Sequence, residues 1–233
     1  ARKHGIYVVA LDGNKDAPGL SYADQAIVVD ISKPDSVLEV VKRIQPDFTI
    51  PIPIGKYLTT TGFINDKLGL KGINELATVL STDKYKFHTA LQTEGLRDIT
   101  CYLLEPGINH LECEYPIEFP AIIKPRFGSG SRDVFYCADE MDLKDAFRMI
   151  QDAKEHFILE EAVQGEEYSI DGAVMEGKLV VTLLRKKEIS KLPERQPISS
   201  IAIDLDEISN ELSNHLQSKL GNVVKALNYD NCL

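Results

Sequence analysis

Two lysines and a run of small residues hold the chemistry that this sequence offers. Lys124 closes a short apolar run, Ala121 to Ile123, and Pro125 behind it prevents a helix from starting at once. Gly128-Ser129-Gly130-Ser131 follows, small and conformationally permissive, so its backbone N–H groups can approach an anion closely. Val134 to Cys137 then reads as a second strand. Strand, lysine, Gly/Ser turn and strand make a hairpin whose tip can fold over a polyphosphate. The bland reading, a solvated turn beside a surface lysine, is the commoner meaning of an isolated Gly-Ser-Gly-Ser. The motif is no P-loop, because the lysine precedes the glycines and no Gly-Lys-Ser/Thr opens a helix.

A second lysine stands forty positions earlier. Ser81, Thr82 or Asp83 can cap a helix that turns Phe87, Ala90 and Leu91 inward and ends at Gly95. Lys84 then sits in the first turn, where a cation opposes the helix dipole and invites a compensating anion. A solvated lysine fits the same spacing. Further along, the strand Phe157–Val163 turns polar at Glu160 and Glu161, and Gly165-Glu166-Glu167 follows directly. These acids read equally well as solvated charges, and Glu167 could pair with Lys178 or Arg185.

The elements that must position these groups alternate between strand and helix. Ala1 to Gly5 resembles the last turn of a helix with Gly at its stop. Strands are expected at Ile6–Leu11 and Ala26–Asp30, and an amphipathic helix at Asp35–Ile44, with Val37, Leu38, Val41 and Ile44 on one face. Pro51 and Pro53 make Phe48–Ile54 a strand end or loop. This order predicts a parallel, Rossmann-like sheet, but Gly-x-Gly-x-x-Gly is missing, so no dinucleotide site rests on Asp12 alone. Strands follow at Ile99–Leu104, Glu167–Val174, Lys178–Leu184 and Ile198–Ile203, with Arg185–Pro197 as a charged loop. Helices are expected at Asp139–Ala153 and Asp206–Ala226, the latter burying Ile208, Leu212, Leu216, Leu220, Val223 and Val224. The sequence is expected to start inside a domain's first helix and to stop where another strand begins.

Composition bounds the function. The 233 residues, 43% apolar and 27% charged, suffice for one large or two modest folded domains. A net charge of −10 argues against a nucleic-acid partner. No apolar run approaches the roughly 18 residues of a membrane span, so no membrane partner is expected. Cys101, Cys113, Cys137 and Cys232 form no Cys-x-x-Cys pair, which predicts scattered reduced thiols and a cytoplasmic location.

Asp83-Lys84 at a helix start, Lys124 before a Gly/Ser hairpin, then Ile158-Leu-Glu-Glu-Ala-Val163 and Gly165-Glu-Glu167-Tyr-Ser-Ile-Asp171 fall in a telling order. Taken together they resemble the ATP-grasp superfamily, most closely the carbamoyl-phosphate-synthase-like branch with biotin carboxylase. The resemblance runs from about Ser81 to Val181. It implies an α/β protein: a Rossmann-like, pre-ATP-grasp domain over 1–80, then an ATP-grasp domain over 81–233. The latter would comprise a linker helix and strand (81–115), a small lid subdomain (116–163) and an incomplete C-terminal α+β subdomain (164–233).

The resemblance also implies roles. Lys84 and Lys124 match the lysines that hold the α- and β-phosphates of ATP, and Gly128, Ser129, Gly130 and Ser131 the loop over the terminal phosphates. Glu160, Glu161 and Val163 match the strand that reads adenine, and Glu167 the acid on the ribose. Arg185, with Lys186 and Lys187 beside it, matches the basic residues near the γ-phosphate and the acyl phosphate. Lys191 and Arg195 fall in a stretch that is either a lid over an acidic substrate or a solvated segment. The implied activity is ATP-dependent ligation of a small-molecule carboxylate to an amine or thiol through an acyl phosphate. A noncatalytic ATP- or ADP-binding module of the same shape is the alternative. Two departures stand out: Asp133 replaces a common glycine, and the Mg2+ ligands are expected beyond Leu233, which predicts ATP binding without turnover for this stretch. The carboxylate and nucleophile are not named by any pattern, and a homo-oligomer stays open.

Overall fold

A computed structural model describes residues 2–50, 55, 57–190, 197–204 and 208–230. The chain divides into two compact units, Ala1–Thr78 and Val79–Leu233.

In the first unit, β1 (Val9–Asp12) and β2 (Gln25–Val28) pair in parallel, Val9 opposite Gln25 and Asp12 opposite Val28. Asp12 ends its strand as a loop cap, accepting a hydrogen bond from the Asn14 N–H at 2.8 Å. Helix α1 (Pro34–Ile44) starts with proline in its first turn, where the missing N–H costs nothing, and has Asp35 near its start and Lys42 and Arg43 near its end. Val37, Leu38 and Val41 of α1 bury against Ile64 of α2 (Tyr57–Leu68). The sequence reading missed α2, whose Thr, Gly and Asn residues blur a helical stripe. Gly62 lets α2 approach the start of α3 (Glu75–Thr82): a Cβ there would lie 2.7 Å from the Asn74 carbonyl oxygen. Of Phe48–Ile54, residues 48–50 lie in no element, and Pro51 and Pro53 fall outside the described residues.

The second unit opens with α4 (Lys84–Thr93), capped by Asp83. A four-stranded sheet follows, ordered β3 (Cys101–Leu104), β6 (Phe157–Glu161), β4 (Ala121–Pro125), β5 (Phe135–Cys137), with every neighbouring pair antiparallel. Side chains alternate between its faces. Ala121 and Ile123 of β4, with Phe157 and Leu159 of β6, bury against Leu143, Ala146, Phe147 and Ile150 of α5 (Glu140–Ile150). Lys124 and Glu160 therefore emerge on the opposite face.

A three-stranded antiparallel sheet completes the unit: β7 (Tyr168–Met175), β8 (Lys178–Ile189) and β9 (Pro197–Ile203). The β7–β8 turn uses Glu176 and Gly177 at φ +50° and +69°, the two left-handed positions of a tight hairpin. Two expectations need correction here. Arg185 to Ile189 is not loop but the second half of β8, because β9 supplies a ladder partner for Arg185 at Ala202 and for Lys187 at Ser200. Lys191 and Arg195 fall outside the described residues. The final helix is α6 (Asn210–Ala226), capped by Ser209, and its stripe is mostly uncovered: Val224 is buried, while Leu212 is 47% exposed and Leu216 and Leu220 only half-buried. Periodicity placed those residues on one face, but too little of the described structure packs on that face to bury it.

Candidate functional site

Lys84 and Lys124 line one cleft of about 160 Å³ together with Gly128, Ser129 and Ser131. Lys84 reaches it because Asp83 caps α4, accepting from the N–H groups of Tyr85 and Lys86 and fixing the first turn. Lys124 reaches it from the face of β4 turned away from α5. Burial, and next the positive charge of Lys124, lower the Lys84 ammonium below its ordinary value. Two cations thus share one small volume inside a chain of net charge −10.

The hairpin tip is built from left-handed backbone, with Gly128 at φ +115°, Gly130 at +76°, and Ser131 and Asp133 both at +54°. Gly128 and Gly130 take that conformation without the strain a side chain brings. Lys84 Nζ donates to the Gly128 carbonyl oxygen at 2.9 Å. Arg132, Asp133 and Glu155 also line the cleft, giving three cations with Lys84 and Lys124 against two acids. One of those acids, Asp133, stands where a glycine was expected.

Glu160 is 6% exposed and doubly paired: Oε1 accepts from Lys124 Nζ at 2.5 Å and Oε2 from Arg97 Nη2 at 3.1 Å. Lys124 and Glu160 meet diagonally, since Glu160 opposes Ile122 and Lys124 opposes Ile158. Arg97 Nε in turn donates to His88 Nδ1 at 2.8 Å, so the His88 proton resides on Nε2. That Nε2 is buried without a hydrogen-bond partner among the described residues. Burial and the Arg97 charge lower the His88 pKa. Sequence reasoning missed Arg97, His88, Asp83's second role and Arg126; only a three-dimensional contact gives these residues meaning.

The other expected site residues lie elsewhere. Glu161 points from the far face of β6 into a polar depression with Glu118 and Asp98. Val163 is 67% exposed beyond the strand end. Glu167 lines a separate groove with Lys186 and Lys187. Glu166, its neighbour, pairs with Lys186 and with the Tyr168 hydroxyl. Arg185 pairs with Asp171 at 2.8 Å on the second sheet, both side chains substantially exposed.

One trio among the described residues has metal-ligand proximity: His88, Cys101 and Glu160, with ligand atoms within 4.8 Å of one another. It does not fit Mg2+, which demands oxygen ligands in near-octahedral array. Glu160 already carries two cations, Arg97 occupies His88 Nδ1, and burial pushes the Cys101 thiol up to about 11. Cys101, Cys113 and Cys137 are free thiols, and Cys232 falls outside the described residues.

Residues 117–232 match the family model of the ATP-grasp domain. The chain belongs to the ATP-grasp superfamily. It is 23% identical over 222 residues to the formate-dependent phosphoribosylglycinamide formyltransferase of Bacillus subtilis, an alignment covering 90% of this chain and 53% of that protein. The ATP-grasp fold is shared with the L-amino acid ligase of Bacillus licheniformis, TM-score 0.77 at 19% identity, covering 98% of this chain and 56% of that one. It is shared also with N5-carboxyaminoimidazole synthetase from Staphylococcus aureus, complexed with ADP, TM-score 0.73 at 16% identity, covering 98% and 59%. The chain thus spans about half the length of the curated relatives it matches. No helix among the described residues is long and apolar enough to cross a membrane.

Proposed function

We propose that the whole protein is an ATP-dependent ligase joining a small carboxylate to an amine or thiol through an acyl phosphate, and that this chain supplies its nucleotide-binding part. The observation that carries the reading is the convergence of Lys84, Lys124 and the Gly/Ser hairpin on one cleft in an ATP-grasp chain. ATP supplies the phosphoryl group that activates the carboxylate. Lys84 and Lys124 hold the α- and β-phosphates as compact point charges, and the hairpin amides close over the terminal phosphates. Such chemistry needs positioning and charge neutralisation more than a catalytic base.

Glu160 holds the Lys124 ammonium at the edge of the cleft until a phosphate draws it in, while Val163, past the end of β6, borders the adenine and Glu167 the ribose. Arg185, with Lys187 two positions along the same face of β8, serves the γ-phosphate and acyl phosphate. The parallel pair β1–β2 supports the first unit as the Rossmann-like, pre-ATP-grasp domain. The described residues offer no set of oxygen ligands that fits Mg2+. The name of the B. subtilis relative, which specifies formate and a phosphoribosylglycinamide, supports a small carboxylate and an amine as substrates. The ADP complex of the S. aureus neighbour supports an adenine nucleotide.

Calorimetric titration with ADP and with ATP–Mg2+ tests the reading. We expect saturable binding that Lys124→Met weakens about tenfold or more, the loss of one charge-assisted contact. No nucleotide binding, or preference for NAD over ATP, would overturn it.

A further inference from the structure

The nucleotide reading leaves one buried ion pair unexplained. Asp83 is 3% exposed and makes four hydrogen bonds: two cap α4, and two come from Arg126, Nε to Oδ1 at 2.8 Å and Nη2 to Oδ2 at 2.6 Å. The main chain repeats the join, the Lys84 N–H donating to the Arg126 carbonyl at 3.1 Å and the Arg126 N–H to the His156 carbonyl at 2.9 Å. The guanidinium also lies over the rings of Tyr85 and Phe127, at 5.8 and 5.3 Å. Lys84 directly follows Asp83, Lys124 stands two positions before Arg126, and Phe127 roots the Gly/Ser hairpin. One ion pair therefore ties the start of α4 to the end of β4, from which the hairpin springs.

Stability alone is a weak reason for such a pair, since desolvating two charges offsets much of their attraction. What a planar fork on a carboxylate supplies is a fixed distance and angle. We propose that Asp83 and Arg126 are positioning residues that set the spacing between the Lys84 and Lys124 ammonium groups, matching it to neighbouring phosphates of one polyphosphate chain. The inference rests on the nucleotide reading of the cleft. The lowered Lys84 pKa, to which Lys124 contributes, agrees with two amines held near each other.

Two variants and two readouts test the proposal. Arg126→Lys keeps the charge and loses the fork; Asp83→Asn keeps a capping oxygen and loses the charge. The first readout is the yield of a Lys84–Lys124 cross-link with a short amine-reactive bifunctional reagent, mapped by mass spectrometry. The second is affinity for inorganic tripolyphosphate against affinity for adenosine, by calorimetry. We expect folded variants to lose most of the cross-link and about tenfold or more in tripolyphosphate affinity, with adenosine binding held, as a small misplacement of binding groups dictates. A merely structural pair would move both affinities together with the melting temperature. Variants that keep the wild-type cross-link and tripolyphosphate affinity overturn the proposal and leave the nucleotide reading intact, as does a wild type without the cross-link. A wild type that cross-links but binds neither tripolyphosphate nor ADP removes the nucleotide reading, and the proposal with it. Should either variant fail to fold, the other decides by the same two readouts.

Discussion

Lys84 Nζ donates to the Gly128 carbonyl oxygen at 2.9 Å, joining the first turn of α4 to the hairpin tip. The contact is open to solvent, so its net contribution is small, about 1 kcal/mol. Its leverage is local, because the tip it restrains is otherwise exposed backbone in left-handed conformation.

Lys84→Met is therefore expected to speed tryptic cleavage after Arg132, in the exposed tip, while global stability changes by less than about 1 kcal/mol. Limited proteolysis beside a urea unfolding curve checks both halves. Cleavage at the wild-type rate would mean that the tip is held by other contacts.

Glu160 sits between Lys124 and Arg97, so Glu160→Gln leaves two partly buried cations without their shared counter-ion. We expect a loss of about 3–5 kcal/mol of unfolding free energy, the range for breaking one side of a buried pair. Adding Lys124→Met should recover part of that loss, which a double-mutant cycle in urea measures.

Stability should fall as the medium is acidified through the histidine range. Burial lowers the pKa of His88, helped by Arg97, and burial likewise lowers that of His110. A group whose folded pKa is depressed contributes stability that is complete above its unfolded value, here 6.5, and is lost as pH drops below it. His88→Gln should therefore flatten the decline in unfolding free energy between about pH 7 and about pH 5, with His110 supplying the remaining slope. Asp83, which burial alone would raise but which Arg126 and two backbone N–H groups hold below 3.8, adds a separate loss only at more acid pH.

In the first unit, Gly62→Ala would put its Cβ 2.6 Å from Thr78 Oγ1 and 2.8 Å from the Cα of Glu75. Backbone cannot yield as a flexible side chain can, so overpacking should cost about 1–3 kcal/mol. A lowered urea midpoint with unchanged m-value is the expected signature.

Local signals were the legible part of this structure. A helix cap among Ser81, Thr82 and Asp83, the strand carrying Lys124, the Glu176–Gly177 turn and α5 with its four inward residues could be read from propensity and periodicity. The loop expected at Arg185–Ile189 turned out to be strand because β9, distant in sequence, pairs with it; charge alone hid a ladder position. The α6 stripe was periodic but remains largely uncovered, since periodicity names a face without naming what packs on it. At the site, Lys84, Lys124 and the hairpin could be linked by order along the chain. Arg97, Arg126 and His88 could not, because nothing in a sequence tells which carboxylate a given cation will find.

The shared carboxylate has a kinetic corollary. Were Lys124 the sole partner of Glu160, drawing the ammonium toward an arriving anion would strand a buried negative charge and raise a barrier to entry. With Arg97 remaining on the other oxygen, the lysine can swing outward while the acid stays neutralised, so on the proposed nucleotide reading the ammonium would pass from one anion to the next as a handover.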